Sequence, residues 1–236
     1  MYKISDSDAL LLCDEARHRH PLDRALLLAV QGEFPGNDVA DSPLGLRNSE
    51  ILRLHSAQYG DALEAYVDCA QCHERLEFTL SCQQLLSDEP ADLQSSFIDV
   101  EGWKFRLPTS RDLAQIAPLA HQPQEAIRNL LLRCCVNRPQ HAGVDNMLSL
   151  VPQIAQKMEC ADPLADVRLQ LNCEYCGHTW LAYFDASGFV WEELESRSAQ
   201  LLDDVHLLAA AYGWSEQQVL ALSEQRRTAY RERVLR

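Results

Sequence analysis

Residues 63–80 read LEAYVDCAQCHERLEFTL and residues 167–184 read VRLQLNCEYCGHTWLAYF, the second stretch repeating the first at an offset of 104 positions (173 − 69). Before the first CxxC, apolar residues fall at Leu63, Ala65 and Val67; before the second, at Val167, Leu169 and Leu171. After the two pairs come Leu76, Phe78 and Leu80, and Trp180, Ala182 and Phe184. A spacing of two is the strand period. Each unit therefore reads as strand, CxxC turn, strand: a β-hairpin with a cysteine knuckle at its tip.

Thiolates are good ligands for a structural zinc, which takes four in a tetrahedron, and a CxxC turn presents two sulfurs on one side. Two such tips facing each other complete the site, so Cys69, Cys72, Cys173 and Cys176 are the expected ligands of one structural Zn2+. Redox chemistry is the rival reading of CxxC, but a redox pair sits at a helix N-terminus, where the macrodipole lowers the thiol pKa. Here Gly177-His178-Thr179-Trp180-Leu181-Ala182-Tyr183-Phe184 is rich in strand formers. His73 and His178, just past the knuckles, read as neighbours of the site or as solvent-facing side chains. Arg75, Arg168 or these imidazoles are the groups expected to offset the charge of −2 on a four-thiolate zinc. Such a site contributes about 10–16 kcal/mol at neutral pH. Metal loss would therefore loosen both hairpins.

The expected fold class is α+β: a split zinc ribbon of two CxxC β-hairpins with a helical N-terminus, a helical insertion and C-terminal helices. The expected segments are 1–60 (helical), 61–82 with 166–185 (ribbon), 83–165 (inserted hairpin and helical subdomain) and 186–236 (C-terminal helices). His20-Pro21-Leu22-Asp23 opens a helix that Pro35-Gly36-Asn37 would end, and Asn48 or Ser49 would cap the next. Residues 97–107 predict a hairpin turning at Glu101-Gly102. Thr109 or Ser110 caps a helix after Pro108, with further helices near 123–135 and 145–159. Trp191, Leu194, Ser198, Leu201, Val205, Leu208 and Tyr212 form one apolar stripe. Gly213 would stop that helix, Ser215 with Gln218 would begin a short one, and Ser223 would cap the last.

Composition bounds the function. The 236 residues carry 21 Lys+Arg against 35 Asp+Glu, a formal charge of −14 that disfavours a broad phosphate-binding face. Arg226, Arg227, Arg231, Arg233 and Arg236 cluster at the C-terminus, but Glu224 and Glu232 interleave with them, which reads as a solvated helix face. No stretch approaches the ~20 apolar residues that span a bilayer. The N-terminus lacks the basic start of a signal peptide, so the expected location is the cytoplasm. Nine cysteines, an odd count with two CxxC pairs, point to metal or free thiols rather than disulfides. Cys13, Cys82, Cys134, Cys135 and Cys160 are expected as small buried hydrophobes. His206 beside Asp203 and Asp204 reads as a polar helix face. There is no phosphate-cradling glycine loop, nucleophile elbow or paired-carboxylate spacing. The expectation is no enzyme.

The C-terminal stretch Asp204-Val205-His206-Leu207-Leu208-Ala209, Ala211-Tyr212-Gly213-Trp214-Ser215-Glu216, Val219-Leu220-Ala221-Leu222-Ser223 and Arg226-Arg227-Thr228-Ala229-Tyr230 resembles the end of the T4-type phage baseplate hub family. His20-Pro21-Leu22-Asp23-Arg24-Ala25, Leu107-Pro108-Thr109-Ser110-Arg111-Asp112-Leu113 and both knuckles look like segments of its relatives in phage-tail-like contractile injection systems. The resemblance implies a structural or assembly role in a contractile-tail baseplate or hub, with other baseplate proteins as partners and no catalytic residues. The C-terminal helices are then the expected partner surface, with Trp214 and Tyr230 as aromatic anchors or, equally, as rings packed within their own helix pair. The alternative is a zinc-ribbon nucleic-acid-binding or transcription-associated factor, against which the charge and the absence of basic residues interleaved with aromatics both count.

Overall fold

A computed structural model describes residues 3–32, 38–87, 97–140 and 143–236. The chain is a mixed α+β protein whose strands form three small antiparallel sheets. Helices α1 (Asp6–Ala16), α2 (Pro21–Ala29) and α3 (Leu44–Tyr59) come first. Ser5 caps α1 by accepting from the Asp8 amide. His20 caps α2, its ring nitrogen accepting from Leu22 N with Pro21 in the first turn, which suits a residue lacking an N–H. The expected stop at Pro35-Gly36-Asn37 lies outside the described residues.

The second expected start is corrected. Helix α3 begins at Leu44, not after Asn48 or Ser49, and Pro43 precedes it without a side-chain cap. Its first turn is satisfied from far along the chain, where Asp162 Oδ2 accepts from Gly45 N at 3.0 Å. Asn48 and Ser49 lie inside the helix, where Asn48 Nδ2 donates to the Leu164 carbonyl at 2.7 Å.

The repeated stretches form two hairpins: β1 (Ala62–Asp68) with β2 (Arg75–Ser81), and β6 (Val167–Asn172) with β7 (Thr179–Phe184). Their registers are identical under the 104-residue offset, since Leu63 pairs with Leu80 as Val167 pairs with Phe184. The correspondence continues past the strands. Helix α4 (Cys82–Ser87) follows β2 and α9 (Ala186–Tyr212) follows β7, starting at matching positions. Cys82 and Ala186 pack with Leu52, Leu63 and Leu164 in one buried cluster, flanked by the matching pair Leu85 and Phe189. The repeating unit is therefore hairpin plus helix, two copies of which share a base.

Between the copies, β3 (Phe97–Val100) and β4 (Trp103–Arg106) turn at Glu101-Gly102 as expected. Both turn residues have positive φ, 51° and 82°, the signature of a two-residue primed turn. Helices α5 (Ser110–Ile116) and α6 (Pro123–Cys134) follow, then a short strand β5 (Cys135–Asn137) that pairs with β4. The single helix expected near 145–159 is two, α7 (Val144–Ser149) and α8 (Val151–Ala161), with Pro152 in the first turn of the second. Ile98, Val100, Trp103, Phe105, Met147 and Ile154 share a core of their own.

Helix α9 packs Val190, Trp191 and Leu194 against α1, α2 and α3. Gly213 closes it in the left-handed conformation, and Ser215 and Ser223 cap α10 (Glu216–Leu220) and α11 (Glu224–Val234). The solvated arginine face is corrected in part: Arg226, Arg233 and Arg236 are exposed as expected, but Arg227 is buried and Arg231 half-buried. Arg227 is 4% exposed and binds Asp6 at 2.6 Å and Asp204 at 3.3 Å, while Arg231 reaches Asp204 at 3.0 Å. Arg197 also pairs with Asp6. The two ends of the chain are thus clamped to α9 by one charge network.

A second such network holds the insertion. The fully buried Asp112 accepts from Arg106 at 2.6 and 2.9 Å, from Arg133 at 2.9 Å and from the Thr109 amide and hydroxyl at 3.0 Å. Burial alone would raise its pKa, but the bonds from Arg106 and Thr109 outweigh that and hold it at about 2. A depressed carboxyl stabilises the fold above its unfolded pKa of 3.8, and that contribution is lost as pH falls toward about 2. Asp112→Ala should cost about 2–4 kcal/mol, because it strands two guanidinium groups and a cap. Urea unfolding followed by tryptophan emission will show the loss, and the difference from the parent should shrink between pH 4 and pH 2.

Candidate metal centre

The two knuckles have the same backbone geometry. Cys69 N donates to the Glu74 carbonyl and His73 N to the Cys69 carbonyl, both at 2.9 Å; Cys173 N to His178 O and Gly177 N to Cys173 O, both at 2.8 Å, repeat the pattern. Each turn needs a left-handed residue directly after its second cysteine, supplied by His73 (φ 62°) and Gly177 (φ 72°). Glycine takes that conformation freely, whereas a residue with a Cβ is strained by about 1–2 kcal/mol. The first knuckle carries that strain at a histidine.

These turns bring Cys69, Cys72, Cys173 and Cys176 together, with all four sulfurs within 4.8 Å of one another. Cys69 Sγ lies 3.7 Å from Cys176 Sγ and Cys72 Sγ 3.6 Å from Cys173 Sγ, each pair bridging the two hairpins. Zinc–thiolate bonds of about 2.3 Å in a tetrahedron place sulfurs about 3.8 Å apart, so the cluster is sized for one ion. The first cysteine of each knuckle is buried and the second is more open, Cys72 in part and Cys176 fully.

Electrostatics also favours a cation. Backbone amides of Cys72 and Gln71 point at the Cys69 sulfur and hold its pKa down at about 7. The Glu74 amide lowers that of Cys72, yet burial and the three neighbouring sulfurs push it up to about 12. The Cys176 thiol receives the His178 amide, at the position matching Glu74, and is still raised by burial. Four thiolates cannot be accommodated at neutral pH without a positive charge among them, and a divalent ion supplies it.

Three of the groups expected to offset the site's charge have partners outside the four sulfurs. Arg75 pairs with Asp68 at 3.3 Å and lies over the Tyr66 ring at 4.3 Å. Arg168 is engaged by Asp166 at 2.8 Å and Glu159 at 3.5 Å, and His178 stacks on Trp180 at 5.4 Å. Backbone N–H groups of Gln71, Cys72, Glu74 and His178 are aimed at the Cys69, Cys72 and Cys176 sulfurs.

Cys13, Cys82 and Cys134 are buried as expected, but Cys135 is half-buried and Cys160 exposed. His206 and Asp203 face solvent, while Asp204 belongs to the arginine network. Trp214 and Tyr230 meet edge to face at 4.9 Å, and Tyr212 stacks on Trp214 at 4.8 Å. Those rings pack within their own helices; Trp214 and Tyr230 stay half-buried and Tyr212 is exposed.

Sequence reasoning missed one constellation. Cys82 Sγ lies 3.4 Å from His55 Nδ1, and His55 Nε2 lies 2.8 Å from Glu193 Oε2. A thiol, an imidazole and a carboxylate in line have the order of a nucleophile, base and orienting acid. Here Cys82 and His55 are 0% exposed, and burial pushes the thiol up to about 11. A thiol so placed is inert, and the line serves to tie α3, α4 and α9. No sequence spacing announces it, since the three residues come from separate helices.

No helix among the described residues is long and apolar enough to cross a membrane. Compared with protein-family profiles, with curated proteins and with solved structures, the chain finds no match in any of the three.

Cys173→Ser should lower bound metal and loosen both hairpins, whereas Cys134→Ser should leave metal content at the parent value. Elemental analysis with circular dichroism of the two purified variants checks this, and equal behaviour would show the ligand set to be wrong. At the turns, Gly177→Ala should destabilise by about 1–2 kcal/mol, while His73→Gly should be neutral or stabilising, as thermal denaturation will report.

Proposed function

We propose that the ion is zinc, that the two hairpins form a zinc ribbon divided by the segment 83–165, and that the protein is a non-catalytic structural or assembly component of a contractile-tail baseplate or hub. The metal assignment is carried by the all-sulfur, tetrahedrally sized donor set. Four thiolates select zinc or iron, and zinc is the usual ion of a closed structural site with no position left for water. A colourless protein with one zinc per chain is expected; the visible absorption of a ferric–thiolate centre would identify iron instead.

The contractile-tail reading rests on the C-terminal pattern. Its residues work together in the fold: Tyr212, Trp214 and Tyr230 form one aromatic cluster, Ser215 and Ser223 cap the last helices, and Arg227 locks α11 to Asp6 and Asp204. The resemblance therefore concerns one packed element rather than scattered helix formers. An acidic protein of formal charge −14 with a metal-pinned core suits protein partners better than nucleic acid.

Co-expression of the tagged chain with the sheath, tube and baseplate products of its own organism tests this. A stable complex with a baseplate or hub subunit is the expected result. Failure to bind any contractile-tail protein, with metal content intact, would overturn the reading without touching the zinc assignment.

A further inference from the structure

The hairpins do not close on each other along their length. Of the twelve apolar positions that face inward, Leu63 is fully buried, while the others, Phe78, Leu169 and Phe184 among them, are only half-buried. No strand pairing joins the two hairpins among the described residues. Between them runs a cleft of about 280 Å³. It is lined by three consecutive residues of β1, Ala65-Tyr66-Val67, and three of β7, Ala182-Tyr183-Phe184. Successive side chains of a strand point to opposite faces, so consecutive residues can line one cleft only through the strand's edge. The cleft therefore lies between two strand edges that no other strand among the described residues pairs, with apolar side chains of both hairpins for its floor.

Free edges are ready templates for another strand, and proteins otherwise blunt them with charge, proline or a covering segment. The outer faces beside this cleft carry Tyr66 and Tyr183, 63% and 75% exposed. Its lining includes two carboxylates, Asp185 and Glu192, and no basic side chain. Arg75, over the Tyr66 ring, is engaged by Asp68, and Arg168, opposite Tyr183, by Asp166 and Glu159.

The geometry points to this cleft as the docking site for an extended segment of a partner protein, in which apolar side chains alternate with Lys or Arg. Main-chain bonds to the β1 or β7 edge provide the attachment, alternate apolar residues fill the floor, and the basic residues between them meet the acidic rim. The volume lies at or below the small end of the ~300–1,000 Å³ range of small-molecule pockets, and the site follows strand edges, which suits a chain entering at one end and leaving at the other. The inference goes beyond the contractile-tail reading and holds for any assembly the protein serves.

The test uses the full metal-loaded chain and a fluorescent peptide of about seven residues, the usual strand length, alternating Val and Lys. Fluorescence anisotropy should show saturable binding, and a Val–Glu peptide should bind about tenfold more weakly or worse. Ala182→Arg, which fills the cleft, and Glu192→Lys, which reverses its rim, should each weaken the Val–Lys peptide by a similar factor. Asn172→Arg, which lies with Arg75–Phe78 of β2 on the other side of the hairpin pair, should leave binding unchanged. Metal content and circular dichroism of each variant separate a lost knuckle from a lost docking site. No saturable binding by the parent, or equal binding by all four proteins, would overturn the proposal. So would a concentration-dependent dimer abolished by Ala182→Arg, which would make a second copy of the chain the occupant.

Discussion

Two hairpins 104 residues apart (173 − 69) are closed on each other at both ends, and the closures differ in kind. At the tips four sulfurs converge within 4.8 Å; at the base Leu52, Leu63, Cys82, Leu164 and Ala186 are buried together. The base is ordinary apolar packing and tolerates adjustment. The tips are not so tolerant, because four sulfurs this close together cannot all be ionised unless a cation lies between them. The chain between the copies begins and ends at this arch, so the position of the insertion follows from whether the arch is closed.

Charge networks finish what the arch begins. Asp112 binds β4, α5 and α6 through Arg106, Arg133 and Thr109, and Asp6 with Asp204 binds α1, α9 and α11 through Arg197, Arg227 and Arg231. In each case a buried or half-buried carboxylate takes more than one guanidinium, which meets the cost of removing the charges from water better than an isolated pair would. The two networks are separate in sequence and in space, one for the insertion and one for the chain ends.

How far the sequence disclosed this follows from the range of each signal. The hairpins, their register and the four sulfurs were legible because strand alternation and CxxC turns are local, and the repetition made each copy check the other. The Glu101-Gly102 turn and the Gly213, Ser215 and Ser223 caps were local too. The break between α7 and α8 had a local sign in Pro152 that went unread. The start of α3 had none, because the group that satisfies its first turn, Asp162, lies 117 residues away. Arg227 looked solvated since its partners Asp6 and Asp204 are 221 and 23 residues distant. The alignment of His55 with Cys82 and Glu193, like the pairing of β5 with β4, exists only after the elements have assembled.

The same distinction bears on where a partner would attach. The C-terminal aromatics drew attention as anchors, yet Tyr212, Trp214 and Tyr230 satisfy one another, and the helices that carry them are held by buried ion pairs. Stacking covers part of those rings, yet they and the hairpin interior alike remain half-covered apolar surface that a partner would bury. The hairpin interior is such a surface, because a four-sulfur centre fixes only the tips and a small core fixes only the base. Filling the space between would require larger side chains than Ala65 and Ala182, which stand where the other copy carries Leu169 and Phe78. A metal can thus do what packing alone would not: hold two apolar arms at a set separation without letting them collapse onto each other.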